Sequence, residues 1–323
     1  MKEQTTKNGR IAFITTPKFR TSSPTRLKTF VYAHLYELCA SFEVITTGRT
    51  YTKGILPIIK STPNAADRRM IRSGMGLAQL NNHDLRRWRR TITNSLQPTT
   101  DSFQGMIQVI FELVEGRLDA VIHFTDWEDK SAKADSAVLS REANVHDVPI
   151  ATDPDTAHAH IRTWKRRLIS GGAFKAREPM RSPPLEGLEP THRVLAIIAH
   201  DNMKLETCRF AVEHARHIFD SYDFVLATGT TGGWIKRFME AAGRGASEVD
   251  RIRLCNSGPK GGDIQIAYAV VKGICHKIIF LQDPTVSHPH DSDIRLFEQA
   301  VLAEDVHVEL ATNVESARLL IGV

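Results

Sequence analysis

Residues 114–126, Val114-Glu115-Gly116-Arg117-Leu118-Asp119-Ala120-Val121-Ile122-His123-Phe124-Thr125-Asp126, align without gaps on residues 271–283, Val271-Lys272-Gly273-Ile274-Cys275-His276-Lys277-Ile278-Ile279-Phe280-Leu281-Gln282-Asp283. In both stretches a helical segment ends at a glycine, a short apolar run follows, and an aspartate closes it. Glycine just past a helix takes the left-handed backbone that stops it, and an unbroken apolar run of this length reads as a strand buried on both faces. Two more pairs occur in the same order: Val44-Ile45-Thr46-Thr47-Gly48 with Val225-Leu226-Ala227-Thr228-Gly229, and Val148-Pro149-Ile150-Ala151-Thr152-Asp153 with Val308-Glu309-Leu310-Ala311-Thr312-Asn313. Ordered matches of this kind predict a duplicated domain.

Around the second member of the pair, apolar runs at 194–199, 224–227, 252–255, 277–281 and 306–311 alternate with amphipathic segments at 205–219, 234–242, 264–273, 294–303 and 315–320. Short strands each followed by a helix require parallel pairing through right-handed crossovers. The expected fold is α/β: two doubly wound three-layer domains with parallel sheets, related by duplication. A chain of 323 residues suits two such domains. Residues 181–190 hold three prolines and a glycine without apolar periodicity, so they read as a linker between domains at 1–180 and 191–323.

Composition narrows the class. With 41% hydrophobic and 24% charged residues the chain is not globally disordered. No apolar run reaches the ~18 residues of a membrane span, and residues 1–10 are polar, which points to a cytoplasmic chain with no membrane partner. Cys39, Cys208, Cys255 and Cys275 form no CxxC pair, so neither a zinc site nor a disulfide framework is expected. Residues 1–190 carry 28 Lys+Arg against 20 Asp+Glu, a charge of +8, whereas residues 191–323 carry 14 against 17, a charge of -3. The excess lies in two clusters, at 68–90 and 162–181. They read as a solvated surface, a polyanion footprint or a basic subunit contact; no zinc finger, RRM or helix-turn-helix pattern of a nucleic-acid binder accompanies them.

Ligands of open parallel sheets bind beyond the carboxyl ends of the strands. At those positions the second copy places His200, Asp201 and Lys204, then Thr228-Gly229-Thr230-Thr231-Gly232-Gly233, then Asn256-Ser257-Gly258-Pro259-Lys260-Gly261-Gly262-Asp263. Asp283-Pro284, His288-Pro289-His290-Asp291-Ser292-Asp293 and Thr312-Asn313 follow the last two strands. Glycines at a strand-to-helix turn let backbone N–H groups approach an anion and the helix start adds positive potential, although the same letters also make a plain helix start. Asp263 reads as an N-cap or as a base. Together with His290 and Asp293 it forms a proton-transfer set, a metal site or a solvated acidic loop. No Walker lysine-serine pair follows either glycine-rich loop, which excludes that route to nucleotide hydrolysis.

In order and spacing, His200-Asp201-Asn202-Met203-Lys204, Thr228-Gly229-Thr230-Thr231-Gly232, Ser257-Gly258-Pro259-Lys260-Gly261-Gly262-Asp263, Asp283-Pro284 and His290-Asp291-Ser292-Asp293 resemble the motif series of the bacterial methylglyoxal synthase family over residues 193–321. The resemblance implies conversion of dihydroxyacetone phosphate to methylglyoxal and inorganic phosphate, with no metal or other cofactor. By position, Asp263 matches the carboxylate that removes a proton from the hydroxymethyl carbon, and His290 the imidazole at the enediolate oxygens. Asp293 and Asp201 match supporting carboxylates. Lys204, Thr228, Gly229, Thr230, Thr231, Ser257 and Gly258 match the phosphate cradle, and His200 a further substrate contact. The family also implies inhibition by inorganic phosphate and a homo-oligomer. Single-domain members continue past the last helix into a tail with an arginine near the phosphate channel, where this sequence has Val323, so phosphate regulation is expected to differ.

The first copy lacks these motifs. Thr15-Thr16-Pro17 stands for His-Asp, Thr47-Gly48-Arg49-Thr50 for TGTTG, Pro98-Thr99-Thr100-Asp101 for GPxGGD, and Ala134-Asp135 for the His-Asp loop. A degenerate, non-catalytic half is expected, with Arg49 free to contact an anion. A reading from another class is a non-catalytic allosteric protein that binds phosphate or another ligand, because the same fold serves as the regulatory domain of carbamoyl-phosphate synthetase. Such a sensor has no need of Asp263, His290 and Asp293.

Overall fold

The computed structural model describes residues 8–100, 104–126, 129, 133–169, 180, 183–283, 285, 291–301, 303 and 307–323. The chain divides into two units, Met1–Pro179 and Met180–Val323. Among the described residues the first unit contains β1 (Arg10–Thr15), β2 (Glu43–Thr46), β3 (Leu96–Pro98), β4 (Ala120–Phe124) and β5 (Ile150–Ala151), in the order β3-β2-β1-β4-β5. The second contains β6 (Val194–Ala199), β7 (Phe224–Ala227), β8 (Ile252–Leu254), β9 (Lys277–Leu281) and β10 (Glu309–Ala311), in the order β10-β9-β6-β7-β8. Every pairing is parallel, and both sheets share one topology, with the first strand of each unit in the middle.

The register repeats as well. Ile11 pairs with Val44 and Ala120, and Leu195 pairs with Val225 and Lys277. Those partners are the residues that the sequence alignment superimposes, so Ile11 falls on Leu195 and the whole of β1 on β6. Gly116 and Gly273, at φ +73° and +66°, stop the helices Gln104–Val114 and Gly262–Val271 in the left-handed region. Two parallel α/β domains share a topology by chance far more easily than a topology, a register and a helix stop together. The two units share all three, the pattern that a duplication leaves.

Burial explains the apolar runs. All six residues of β6 are buried, as are all five of β4, because helices cover both faces of each sheet. One core gathers Phe13, Phe30, Leu35, Ile55, Trp88 and Phe124 in the first unit, and another gathers Leu195, Ile197, Phe210, Ile218, Met239 and Ile279 in the second. In the first core Phe30 stands edge-on to Phe124 with ring centroids 4.8 Å apart. Cys39, Cys208, Cys255 and Cys275 are buried free thiols.

Three expectations change. The helix expected over 205–219 is two helices, Lys204–Glu213 and Ala215–Ser221, because His214 leaves the helical region at φ -101°, ψ 13°. The helix expected from residue 234 starts at Gly229. Its glycines read as loop, but they serve packing: a Cβ at Gly232 would stand 2.4 Å from Leu254 Cδ2. Within the expected linker, residues 184–187 form a turn that buries Leu185, and Leu188 after it is buried too, where a linker composition leads one to expect open chain.

The first basic cluster lies on the helices Ala65–Gly74 and Asn82–Ser95, each closed by a capping box, Asn64 with Asp67 and Asn81 with Asp84. Arg68 donates to the Leu80 carbonyl at 3.1 Å, Arg89 to that of Ser61 at 3.0 Å, and Arg87 to the Tyr36 hydroxyl at 3.1 Å. These guanidiniums tie the two helices to neighbouring chain, Arg87 to the first residue of the helix Tyr36–Ser41. Among the described residues no helix is long and apolar enough to cross a membrane.

Candidate active site

In the second unit the order of strands reverses beside β6, and the loops leaving β6, β7 and β8 open there onto one cavity of about 370 Å³. Its wall includes His200, Asp201 and Lys204, the threonines Thr228, Thr230 and Thr231, then Ser257, Gly258 and Asp263. Of the twelve positions singled out in the sequence, these nine line it together. Gly229 underlies the wall: a Cβ there would stand 2.9 Å from the Cys255 carbonyl, so only glycine lets the two loops meet. His290 lies outside the described residues. Asp293 has its backbone in the helix Asp291–Val301, and its side chain lies outside the described residues.

His200 extends the β6 ladder by one residue, its amide donating to the Leu281 carbonyl at 3.1 Å. Its Nδ1 accepts from the Asp283 amide at 2.9 Å, which leaves the proton of the neutral ring on Nε2. The ring stands edge-on to Phe280 at 5.1 Å. Next comes a turn of 3-10 helix, Asp201–Met203, that carries the chain into Lys204–Glu213. It brings the Lys204 ammonium back onto the Asp201 carboxylate, the lysine side chain 13% exposed and the aspartate 85%. A cation held at a cavity wall by a solvated partner can turn to an anionic ligand at small cost. At the strand end Asn202 and Thr285 hold the Asp283 carboxylate, and hydrogen bonds from the Thr285 hydroxyl, Asn202 and the Thr285 amide lower its pKa to about 2.

Thr228 occupies the N-cap of Gly229–Ala241 without capping it by its side chain. Its hydroxyl donates to that of Thr231 at 3.2 Å, and both threonines are buried. The Gly229 amide donates to the Asn256 carbonyl at 2.8 Å, and the helix start otherwise carries no side-chain cap, so its partial positive charge lies at the cavity wall.

The third loop answers the ambiguity at Asp263. Gly261, at φ +86°, is the N-cap, and Asp263 sits one residue inside the helix Gly262–Val271, so it is not the cap. Its side chain is 3% exposed and faces the cavity. Gly262 makes this possible: a Cβ would lie 2.0 Å from the Asn256 carbonyl oxygen, so only glycine lets the helix start so near the loop. Gln265, fully buried, accepts from the Asn256 amide at 2.6 Å and pins the loop to the helix. Sequence reasoning missed Gln265, and also Phe280 and Pro259 on the cavity wall. A lone amide in the apolar run Ile264-Gln265-Ile266-Ala267 was the signal for the first; Pro259 stood inside the Ser257–Asp263 motif without a role of its own, and Phe280 read as plain strand core.

Chemically the arrangement offers a buried carboxylate, an ammonium, two buried hydroxyls and an uncapped helix start around one small cavity. That set can hold a doubly charged oxyanion and move a proton beside it. Among the described residues no group of three His, Cys, Asp or Glu side chains is arranged to hold a metal ion.

No family model matches the chain. A methylglyoxal synthase of Cupriavidus taiwanensis is 41% identical over 129 residues, covering 40% of this chain and 86% of the relative. The methylglyoxal synthase of Thermus thermophilus is 40% identical over 131 residues, covering 40% of this chain and 93% of the relative. Among solved structures, methylglyoxal synthase from Elizabethkingia anophelis is 27% identical, with a TM-score of 0.34 over 41% of this chain and 78% of that one. With curated relatives matched at this identity over most of their length, the chain belongs to the methylglyoxal synthase family.

Proposed function

We propose that the second unit converts dihydroxyacetone phosphate to methylglyoxal and inorganic phosphate. One observation carries this reading: Asp263 shares a single cavity with Lys204, Thr228, Thr231 and the uncapped start of Gly229–Ala241. Elimination of phosphate needs a base at one carbon and fixed donors around the departing dianion, and these are the two things the cavity brings together.

The chemistry divides among the residues as follows. Asp263 removes a proton from the hydroxymethyl carbon, and the C–H electron pair becomes the double bond of an enediolate. The former carbonyl oxygen takes up a proton. Loss of the proton from the neighbouring hydroxyl then forms an aldehyde, drives the double bond one carbon along and breaks the C–O bond to phosphate, which leaves with the electron pair. Protonation of the remaining enol at its terminal carbon, with loss of its hydroxyl proton, completes methylglyoxal. In this scheme His290 carries the proton between the two oxygens, with Asp293 and Asp201 supporting it. Lys204 and the threonine hydroxyls hold the phosphoryl oxygens, and His200, its proton on Nε2, donates to the substrate. Burial of Asp263 keeps water away from the base, which an eliminating rather than hydrolysing enzyme requires.

The test is incubation of the purified chain with dihydroxyacetone phosphate and separate quantification of methylglyoxal and phosphate. Equimolar release of both is expected. A chain that binds phosphate and releases no methylglyoxal is a sensor with the same fold, and the proposal fails.

A further inference from the structure

Register carries the second unit's site onto the first, residue by residue. With β1 on β6, Thr16 falls on His200 and Arg20 on Lys204; with β2 on β7, Thr47, Arg49 and Thr50 fall on Thr228, Thr230 and Thr231. The hydrogen bonds repeat too. Thr16 donates its amide to the Phe124 carbonyl at 2.9 Å, and its Oγ1 accepts from the Asp126 amide at 3.3 Å, as His200 does with Leu281 and Asp283. The Gly48 amide donates to the Thr100 carbonyl at 3.1 Å, as that of Gly229 does to Asn256 at 2.8 Å. Thr47 and Thr50 share a hydroxyl hydrogen bond of 2.8 Å, the counterpart of the Thr228–Thr231 pair.

What differs is the charge. A Cβ at Gly105 would stand 2.3 Å from the Thr100 carbonyl, as one at Gly262 would stand 2.0 Å from that of Asn256. Gly105 therefore matches Gly262, and Met106 stands where the second unit has Asp263. The sequence had set Asp101 against that aspartate; the register corrects this, and residue 101 itself lies outside the described residues. Meanwhile at the cradle Lys204 has Arg20 as its counterpart, which keeps the positive charge, and Thr230 has Arg49, which adds one. Arg20 donates from Nη1 to the Thr15 carbonyl at 2.6 Å, which holds its guanidinium at the end of β1, where the Thr50 hydroxyl accepts from the Thr15 amide at 3.1 Å. Burial and the nearness of Arg49 both lower the pKa of Arg20, with Asp129 opposing them. Lys18, the other nearby cation, stands 3.9 Å from Asp126. Among the described residues no carboxylate pairs with Arg49.

Two guanidiniums near enough to repel each other, beside a pair of hydroxyls that both units share and with methionine at the position of Asp263, have the composition of a receptor. We propose that the first unit binds a phosphoryl group or free phosphate through Arg20, Arg49, Thr47 and Thr50, and performs no proton transfer on it. The inference rests on the phosphate reading of the second unit for its correspondence, but its residues are different and its test is separate.

The experiment uses the full chain and isothermal titration with inorganic phosphate and, in parallel, with glycerol phosphate, which distinguishes a free-ion site from one for a phosphate ester. Lys204→Ala weakens the second unit's cradle, so the remaining saturable binding belongs to the first. Adding Arg49→Gln, a change at an exposed side chain, should weaken that remaining binding by about tenfold or more, the loss expected for one charge-assisted contact, and Arg49→Lys should restore part of it. Binding unchanged within about twofold by Arg49→Gln, or absent in Lys204→Ala for both probes, overturns the proposal. Failure of the second unit to turn over dihydroxyacetone phosphate, with the Arg49-dependent binding intact, would sink the function proposed above and leave this site standing.

Discussion

At position 263 a carboxylate follows a left-handed glycine and a second glycine too crowded to bear a side chain. The letters Gly261-Gly262-Asp263 alone allow an N-cap or a base; the φ of Gly261 decides, because the cap falls two residues before the aspartate. Lys204 is the residue whose loss should be felt in binding and turnover together. Lys204→Ala should lower kcat/KM by about 10² to 10³-fold, as removal of one charge-stabilising donor does elsewhere, read from initial rates across substrate concentration; a change under about threefold would take the lysine out of the cradle. Asp135 makes a different prediction. Burial raises its pKa to about 6. Because the folded value lies above the unfolded one, its contribution to stability is fully present below about pH 3.9 and is lost as pH rises through about 6. Asp135→Asn should therefore raise the unfolding midpoint at pH 8, by up to about 3 kcal/mol of stability, and give no such gain at pH 4. Equal effects at both pH values would contradict it.

Elements were readable where burial was complete. β6, β7 and β9 lie where their apolar runs put them, since a strand covered on both faces must be apolar throughout and a helix of that length needs polar positions. Helix boundaries were less readable, because glycine carries two meanings. In Gly229–Ala241 it marks close packing in the first turn, whereas at Gly116 and Gly273 it marks a stop. The paired glycines 105 and 262 give the test at this scale. Gly262→Ala and Gly105→Ala should each lower the unfolding midpoint, by about 1–3 kcal/mol of stability, since the added methyl meets a backbone oxygen that cannot yield without moving its loop. Gly262→Ala should also lower turnover, through displacement of Asp263. Two unchanged melting curves would mean that these contacts relax freely.

Across the whole molecule the two units keep one strand order and differ in the residues of their loops. The repeat was legible because strand and helix stop recur at fixed spacing, but the residue set against Asp263 was not. A loop one residue shorter between β3 and the following helix shifts the alignment, so the sequence offered Asp101 as a relic of the base where the register puts Met106. Replacement of Asp101 by alanine should accordingly leave turnover of dihydroxyacetone phosphate intact, measured as methylglyoxal formed per second; a large loss of rate would mean that the first unit takes part in the chemistry. The charge contrast, +8 over residues 1–190 and -3 after them, does not map simply onto anion binding, since arginines 68, 87 and 89 are hydrogen-bonded to neighbouring chain.

Comparing the native chain with Asp263→Asn bears most directly on the account. Asparagine keeps the shape and burial of the side chain and removes its capacity to take a proton. With phosphate affinity unchanged within about twofold, methylglyoxal formation should fall by about 10³-fold or more. Equal rates in the two proteins, or a loss of phosphate binding that matches the loss of rate, would contradict the assignment of this buried carboxylate as the base.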